Sequence, residues 1–203
     1  MNPDKAPIRL DSIDDPRIAG FRNLRERTLR GENIFVTEGT TLTLRLLASR
    51  FATESVLCEE AYADRILPHL PDATSLFLVS RPMMQEIAGF DFHRGVLGLG
   101  RRRPWATLDE LLERATERFA LFACPETTST ENLGLIFRTA AAMGFAGVLL
   151  GEKASDPFCR RALRVSMGGV LTVPARKSEN LAADLRHLQQ EHDVQVLATV
   201  LDP

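Results

Sequence analysis

The segment 128–144 contains the residues with the clearest potential for chemistry. A polar loop leads from an apolar stretch into a helix that holds Asn132, Gly134 and Arg138. An amide side chain donates and accepts hydrogen bonds, and an arginine close to a helix N-terminus suits a phosphate group. Gly134 and Arg138 share one helix face, and Gly134 leaves room for a backbone or a ligand. The segment predicts a phosphate-binding helix, and the alternative is an ordinary helix with one solvated arginine.

The basic residues of the chain are almost all arginines. Only three of the 25 basic residues, Lys5, Lys153 and Lys177, are lysines, and the net charge is −2. Arginine makes bidentate contacts with phosphate that lysine cannot make, so this composition favours a phosphate-rich partner. Biased codon usage would produce the same composition.

Other classes of site lack their sequence signatures. Three cysteines without a CxxC pair exclude a disulfide framework, and four histidines show no metal-ligand spacing. Cys124 ends a predicted strand, where a nucleophile could lie, but no partner histidine is indicated, so a buried thiol is favoured. The chain has neither an apolar leader nor a run of 18 apolar residues, and we expect a cytoplasmic protein.

The elements that position these residues alternate between strands and helices, which predicts an α/β fold. In the first half, Asp15 and Pro16 open a basic helical segment that ends near Gly31, and Ser80 caps a later helix. The predicted strands of this half are 34–36, 56–59, 76–79 and 95–100, and its other helices begin at Thr40 or Thr41 and at Ala61.

The second half repeats the alternation. Thr107 and Glu110 match a capping box, and residues 119–124 predict a strand that is buried on both faces of a parallel sheet. Gly144 ends the helix 131–143. The further predicted strands are 147–150, 170–173 and 194–201, with a short helix from Asp156 and Pro157 and a longer one over 178–190. Because no covering helix follows 194–201, we expect this strand to be partly exposed.

Four segments resemble motifs of one known family. Residues 132–144, NLGLIFRTAAAMG, are similar to its N-x-G-x-I-x-R-T-A motif, and residues 35–39, FVTEG, to its E-G segment. Residues 93–97, HRGVL, resemble an H-Q-G-V segment with Arg94 in place of glutamine, and residues 164–170, RVSMGGV, resemble R-x-S-x-G. The chain resembles the SpoU (TrmH-like) group of SPOUT RNA methyltransferases.

The resemblance implies an N-terminal ribosomal-protein-like α/β substrate-binding domain followed by a SPOUT-type parallel-sheet α/β domain. It divides the chain into a basic N-terminal helical segment (1–32), an RNA substrate-binding domain (33–100), a linker (101–108) and a SPOUT domain (109–203). The family transfers a methyl group from S-adenosylmethionine to a ribose 2′-OH of structured RNA, such as rRNA or tRNA, usually as a homodimer and without a metal.

The family's second and third motifs, of the G-N-E and S-L-N-V-S types, have no counterpart in residues 1–203. The resemblance therefore implies an incomplete SPOUT domain whose methyl-donor residues would lie beyond Pro203, which also puts the homodimer in doubt. The alternative function is a catalytically inactive, RNA-binding remnant of the family. A small-molecule α/β enzyme that is unrelated to RNA is a weaker alternative.

The resemblance also assigns roles to individual residues. Asn132 and Arg138 are the expected catalytic residues, with Arg138 as a phosphate anchor, since arginine stays protonated at neutral pH. Glu38 is a candidate RNA contact, or alternatively a carboxylate at a helix start. Ser166 and Gly168 are expected to shape a turn. The expected RNA-binding arginines are Arg22, Arg25, Arg27, Arg30, Arg94, Arg101, Arg102 and Arg103.

Overall fold

The computed structural model describes residues 6–22, 24, 33–89, 92–113 and 119–200. The first domain contains a five-stranded sheet with the strand order β1-β4-β3-β5-β2, in which β5 runs antiparallel to β2 and β3. Its elements are β1 (Ile8–Arg9), a 3₁₀ helix (Pro16–Phe21), β2 (Ile34–Glu38), α1 (Thr40–Leu47), β3 (Thr53–Glu59), α2 (Ala63–Ile66), β4 (Ser75–Val79), α3 (Arg81–Ala88) and β5 (Val96–Arg101).

Two glycines in β5 make room for side chains of the neighbouring strand. A Cβ on Gly100 would lie 2.4 Å from the ring of Phe35, and one on Gly98 would lie 2.6 Å from the hydroxyl of Thr37. Larger residues at either position would push the buried side chains of β2 out of place. The glycines therefore let β2 and β5 pack closely, next to the point where β2 enters α1.

The N-terminal residues belong to the first domain. Strand β1 pairs with β4, and Ile18, Phe21 and Leu24 are buried in the core of this domain. Asp15 caps the 3₁₀ helix, because its carboxylate accepts a hydrogen bond from the Arg17 backbone N–H at 2.9 Å. The sequence predicts a basic helical segment over residues 1–32. The described part of this segment forms one strand and one short 3₁₀ helix.

The second domain contains a parallel three-stranded sheet with the order β6-β7-β8. Helix α5 connects β6 to β7, and α6 and α7 connect β7 to β8. The elements are α4 (Leu108–Glu113), β6 (Leu121–Cys124), α5 (Thr130–Met143), β7 (Gly147–Leu150), α6 (Arg160–Val165), α7 (Gly169–Thr172), β8 (Ala175–Lys177) and α8 (Leu181–His192). The predicted α/β class with a parallel sheet is confirmed.

Three predicted strands of this domain need correction. Of the predicted strand 170–173, residues 170–172 lie in the helix α7, and β8 begins only after Pro174, because a short buried apolar run fits a helix as well as a strand. Residues 194–200 contain no strand, and Leu197 is 81% exposed. Strand β6 forms an edge of the sheet with Ala123 exposed, so it is not buried on both faces.

One hydrophobic cluster contains residues of both domains. Phe35 and Phe51 of the first domain pack against Phe158 of the second, with ring centroids 5.1 Å and 5.4 Å from that of Phe158. Leu42 of α1 and Phe137 of α5 belong to the same cluster. We call this contact region the domain junction, and it fixes the position of α1 relative to α5 and α6. Within the described residues, no helix combines the length and apolarity needed to cross a bilayer.

Candidate functional site

Helix α5 carries the two expected catalytic residues, and local sequence fixes its ends. The hydroxyl of Ser129 accepts a hydrogen bond from the Asn132 backbone N–H at 3.2 Å, which caps the start of the helix. Gly144, with a φ of 71°, ends the helix in the left-handed conformation, as predicted. Phe137 faces the core, so Asn132 and Arg138 lie on the exposed side.

Glycines bring α5 into backbone contact with the helices that follow β7. A Cβ on Gly134 would lie 2.9 Å from the carbonyl oxygen of Ala162, and one on Gly169 would lie 2.6 Å from that of Phe137. Both distances are shorter than real Cβ contacts allow. The predicted close approach at Gly134 therefore involves another backbone, that of α6.

The side chains of Asn132 and Arg138 are exposed to solvent. In the part of the chain that the structure describes, the Arg138 guanidinium has neither an ion pair nor a hydrogen bond, and the Asn132 amide has no hydrogen bond. Both side chains are therefore available to a ligand that approaches α5 from outside.

Glu38 lies at the domain junction, at the end of β2, and is only 4% exposed. Its carboxylate forms an ion pair with Arg160 of α6, and an oxygen lies 3.8 Å from Nη1 of Arg164. Arg160 also donates a hydrogen bond to the carbonyl of Leu24 at 2.8 Å. Glu38 thus connects the two domains, and α1 has no side-chain cap at its start. Glu38 directly precedes Gly39, the N-cap of α1, so it lies at a helix start, which is one of its two predicted roles, and its contact with RNA stays a prediction.

A cavity of about 360 Å³ opens beside Glu38 at the domain junction. It is lined by residues from three of the four family-like segments, which are far apart in sequence but meet here. They are Glu38 and Gly39, Arg94, and Arg164 with Met167, and the wall is completed by Thr40, Thr41, Leu42 and Arg65. Sequence reasoning missed Arg65, and it treated Arg164 only as part of a motif.

The remaining predicted RNA-binding arginines lie in different surroundings. Arg102 is half-buried: it forms two hydrogen bonds to Asp156, of 3.2 Å and 2.6 Å, and its guanidinium lies 5.1 Å from the Phe158 ring centroid. It therefore stabilises the domain junction, and its contact with RNA stays a prediction. Arg101 pairs with Glu54 at the surface.

Arg103 and Arg22 also have protein partners. Arg103 donates a hydrogen bond to the Arg50 carbonyl at 3.3 Å while its side chain stays at the surface. Arg22 donates to the Asp15 carbonyl at 2.9 Å. The predicted contacts at Arg25, Arg27 and Arg30 lie outside the described residues.

The turn after α6 has the structural role that the sequence predicts. Ser166 is buried, and its hydroxyl donates to the Leu163 carbonyl at 2.9 Å. Met167 and Gly168 both have a positive φ, of 52° and 85°, so the chain reverses sharply before α7. The turn places Met167 in the wall of the cavity.

The three thiols are poor nucleophiles in this structure. Burial raises the pKa of Cys58 to about 12 and also raises the pKa of Cys124 and Cys159. A thiol with a raised pKa is protonated at neutral pH and unreactive. The prediction that Cys124 is a buried thiol is therefore confirmed.

Comparison with known proteins identifies relatives of both sequence and fold. Residues 106–203 match the model of the SpoU rRNA Methylase family. An uncharacterized tRNA/rRNA methyltransferase of Mycobacterium bovis is 33% identical over 187 residues, which are 87% of this chain and 62% of that protein. The 23S rRNA (guanosine-2′-O-)-methyltransferase RlmB of Acinetobacter baylyi is 35% identical over 135 residues, 65% of this chain and 54% of that protein.

The fold matches that of solved methyltransferases. The AdoMet-bound rRNA methyltransferase of Sinorhizobium meliloti superimposes with a TM-score of 0.73 at 23% identity, over 90% of this chain and 68% of that one. This chain spans about 62% of the length of the mycobacterial relatives that it matches. The family-like motifs, the matched family model and the shared fold agree, and residues 106–203 of this chain belong to the SpoU rRNA methylase family.

Proposed function

We propose that this chain acts in RNA 2′-O-methylation, the transfer of a methyl group from S-adenosylmethionine to a ribose 2′-OH of rRNA or tRNA. The Acinetobacter baylyi relative is named for this reaction on a guanosine of 23S rRNA. The observation that carries the proposal is the position of Arg138. Its guanidinium stands exposed on the helix that has the family's motif, and no carboxylate in the described part of the chain neutralises it.

Methyl transfer to a hydroxyl requires that the 2′-oxygen be held in line with the bond that breaks. Arg138 suits this positioning role, because a guanidinium binds the two oxygens of a phosphate with fixed geometry. It does not suit the role of a base, since it stays protonated at neutral pH. We assign Arg138 to the phosphate next to the target ribose, and Asn132, six residues earlier on α5, to the ribose or donor side.

The RNA would extend from α5 over exposed arginines of the first domain. Arg94, Arg101 and Arg103 have exposed or half-exposed side chains, and their protein partners, where present, leave donors available. Phosphate contacts of this kind supply affinity independent of sequence. In this proposal Glu38 and Arg102 hold the two domains together beside the RNA, while Arg22, Arg25, Arg27 and Arg30 would add further RNA contacts.

A cleft at the sheet edge is the candidate place for the methyl donor. It has a volume of about 560 Å³ and lies at the carboxyl ends of β7 and β8, the edge where α/β sheets bind ligands. Lys177 donates to the carbonyls of Gly151, Glu152 and Ala154, and Asp156, the carboxylate of the lining, binds Arg102. In the described part of the chain, this lining therefore leaves no carboxylate for the ammonium group of S-adenosylmethionine, and it does not fit that group.

We also propose that the protein acts in the cytoplasm and as a homodimer. Leu135 and Met143 on α5 are large apolar residues with exposures of 47% and 68%, beside the exposed Arg138. A second copy that covered them would remove apolar surface from water next to the catalytic helix. Light scattering of the purified chain is expected to give twice the 22.6 kDa of one chain. A monomer at all concentrations would contradict the homodimer.

The function is tested by transfer of a radiolabelled methyl group from S-adenosylmethionine to rRNA and tRNA transcripts. We expect labelled 2′-O-methylribose after nuclease digestion, and loss of the label with Arg138→Gln. The control is Arg186→Gln, an exposed arginine of α8 that removes the same charge. RNA binding without methyl transfer would support the inactive, RNA-binding alternative. Absence of both would contradict the proposed function.

A further inference from the structure

We infer that the cavity at the domain junction binds a backbone phosphate of the RNA. The inference rests on the proposed function and adds a second phosphate contact, separate from Arg138. It assigns Arg65, Arg94 and Arg164 as the cations of this site and the start of α1 as its source of backbone donors. These groups line the same cavity of about 360 Å³.

The cavity has an excess of positive charge. Its wall contains three arginines and one carboxylate, that of Glu38, which already pairs with Arg160 and lies 3.8 Å from Arg164. Arg65 rests 6.0 Å from the centroid of the Tyr62 ring. In the described part of the chain, neither Arg65 nor Arg94 has a carboxylate partner. An anion would supply the missing partner for both guanidinium groups.

Helix α1 supplies hydrogen-bond donors at the same place. The first N–H groups of a helix have no partner within the helix, and an oxygen-bearing side chain usually caps them. Here the N-cap is Gly39, which has no side chain, and the structure shows no side-chain cap. Thr40 and Thr41, which carry hydroxyl groups, line the cavity beside these N–H groups. Backbone donors, hydroxyls and the positive end of the helix dipole all favour an anion.

The conformation of Gly39 places Arg94 over the start of α1. Gly39 has φ 86° and ψ 159°, and a Cβ at this position would lie 3.3 Å from Cδ of Arg94. The stem of Arg94 therefore runs past Gly39 while its guanidinium stays exposed. The H-Q-G-V motif that residues 93–97 resemble has glutamine at this position, so Arg94 adds a positive charge that the motif lacks.

The charge of the wall favours a phosphodiester over free phosphate. Glu38 lines the cavity and offsets part of the arginine charge, which suits the single negative charge of an RNA backbone phosphate better than a dianion. Arg65 and Arg94 are both exposed, so a continuous strand can pass the opening without entering fully. The expected occupant is therefore one phosphate within an RNA strand.

The test measures binding of a fluorescein-labelled stem-loop RNA by anisotropy over a series of salt concentrations. The wild-type chain is compared with Arg94→Gln and Arg65→Gln, and with Arg186→Gln as the control of equal charge. Each lost phosphate contact should weaken binding about fivefold near physiological salt and reduce the slope of log affinity against log salt by about 0.7–0.9. Thermal melting checks that each variant folds.

The outcomes separate this inference from the proposed function. Weaker RNA binding by Arg94→Gln and Arg65→Gln than by Arg186→Gln supports the phosphate site. Equal binding by all variants, with tight binding by wild type, overturns the site and leaves the proposed function standing. Wild-type protein that binds no RNA overturns both. Inorganic phosphate at matched ionic strength should not displace the RNA, and displacement that Arg94→Gln abolishes would overturn the assignment to an RNA backbone.

Discussion

The domain junction and the exposed face of α5 use arginine in opposite ways. At the junction, Arg160 and Arg102 bind the carboxylates of Glu38 and Asp156, close to the buried rings of Phe35 and Phe158. On α5, Arg138 stands in solvent, and within the described residues no carboxylate pairs with it. The neighbouring carboxylate, and not the arginine itself, therefore distinguishes a structural cation from one that can bind a ligand.

The largest expected effect comes from the aromatic centre of the junction. Phe158 is 6% exposed and contacts Phe35, Phe51 and Trp105, so Phe158→Ala should lower the free energy of unfolding by about 3–5 kcal/mol. Denaturant unfolding measures the loss. Leu197→Ala removes an apolar side chain that is 81% exposed, so it is the control and should change stability by less than about 0.5 kcal/mol. Equal losses would contradict the role of Phe158 at the domain junction.

Removing the charge of a buried carboxylate should lower the free energy of unfolding more than removing that of an exposed one. Glu38→Gln leaves Arg160 without its anionic partner inside the junction and should cost about 3 kcal/mol of unfolding free energy. The matched control is Glu131→Gln, which breaks the exposed pair between α5 and Arg161 and should cost less than about 1 kcal/mol. Urea denaturation of both variants tests the difference, and a control loss as large as that of Glu38→Gln would contradict it.

Two glycines with positive φ allow a similar comparison of backbone strain. Gly39 has ψ 159°, a conformation that is essentially restricted to glycine, so Gly39→Ala should cost about 1–3 kcal/mol and disturb Arg94. Gly144 has φ 71° and ψ 33°, and no atom lies within 4 Å of an added Cβ. Gly144→Ala should therefore lower the free energy of unfolding by less than Gly39→Ala does. Melting temperatures that rank the two variants in the reverse order would contradict the proposed strain.

A smaller, pH-dependent effect is expected where Arg176 pairs with Asp184 in the second domain. The hydrogen bonds from Arg176, of 2.7 Å and 3.1 Å, and then that from Ser178 lower the pKa of Asp184. Because the pKa is lower in the folded state, the ionised carboxylate stabilises the protein at pH values above its ordinary pKa of about 3.9. The protein loses this stabilisation as the pH falls.

Asp184→Asn should therefore reduce stability at pH 7, and its difference from wild type should narrow below about pH 4. Melting curves at several pH values measure the difference, with the exposed Asp109→Asn variant as control. A difference that does not depend on pH would show that the ionised carboxylate is not the stabilising group.

Local signals predicted local structure well. Thr107 and Glu110 form both hydrogen bonds of the predicted capping box, of 2.8 Å and 3.1 Å, and Ser80 caps α3 as expected. Short apolar runs were less informative, because residues 170–172 of one predicted strand lie in a helix and residues 194–200 form no strand. Neither run has a periodicity that distinguishes a strand from a buried helix or an unpaired segment.

The contacts that define the site could be predicted only in part. The motif helix and its two exposed polar residues follow from residues close together in sequence. The pairing of Glu38 with Arg160 joins positions 122 residues apart, and the cavity joins three separate segments, so sequence spacing gave no sign of either. The partner of each charged side chain depends on tertiary packing, which is why the sequence did not predict the pairs of Arg102 with Asp156 and of Glu38 with Arg160.

The affinity of Arg138→Gln for a structured RNA, measured together with its unfolding free energy, tests the central claim most directly. We expect RNA binding about fivefold weaker than that of Arg186→Gln near physiological salt, with the unfolding free energy changed by less than about 0.5 kcal/mol. Equal RNA affinity of the two variants, or a loss of binding that follows a loss of stability, would contradict the claim that Arg138 is an open phosphate ligand.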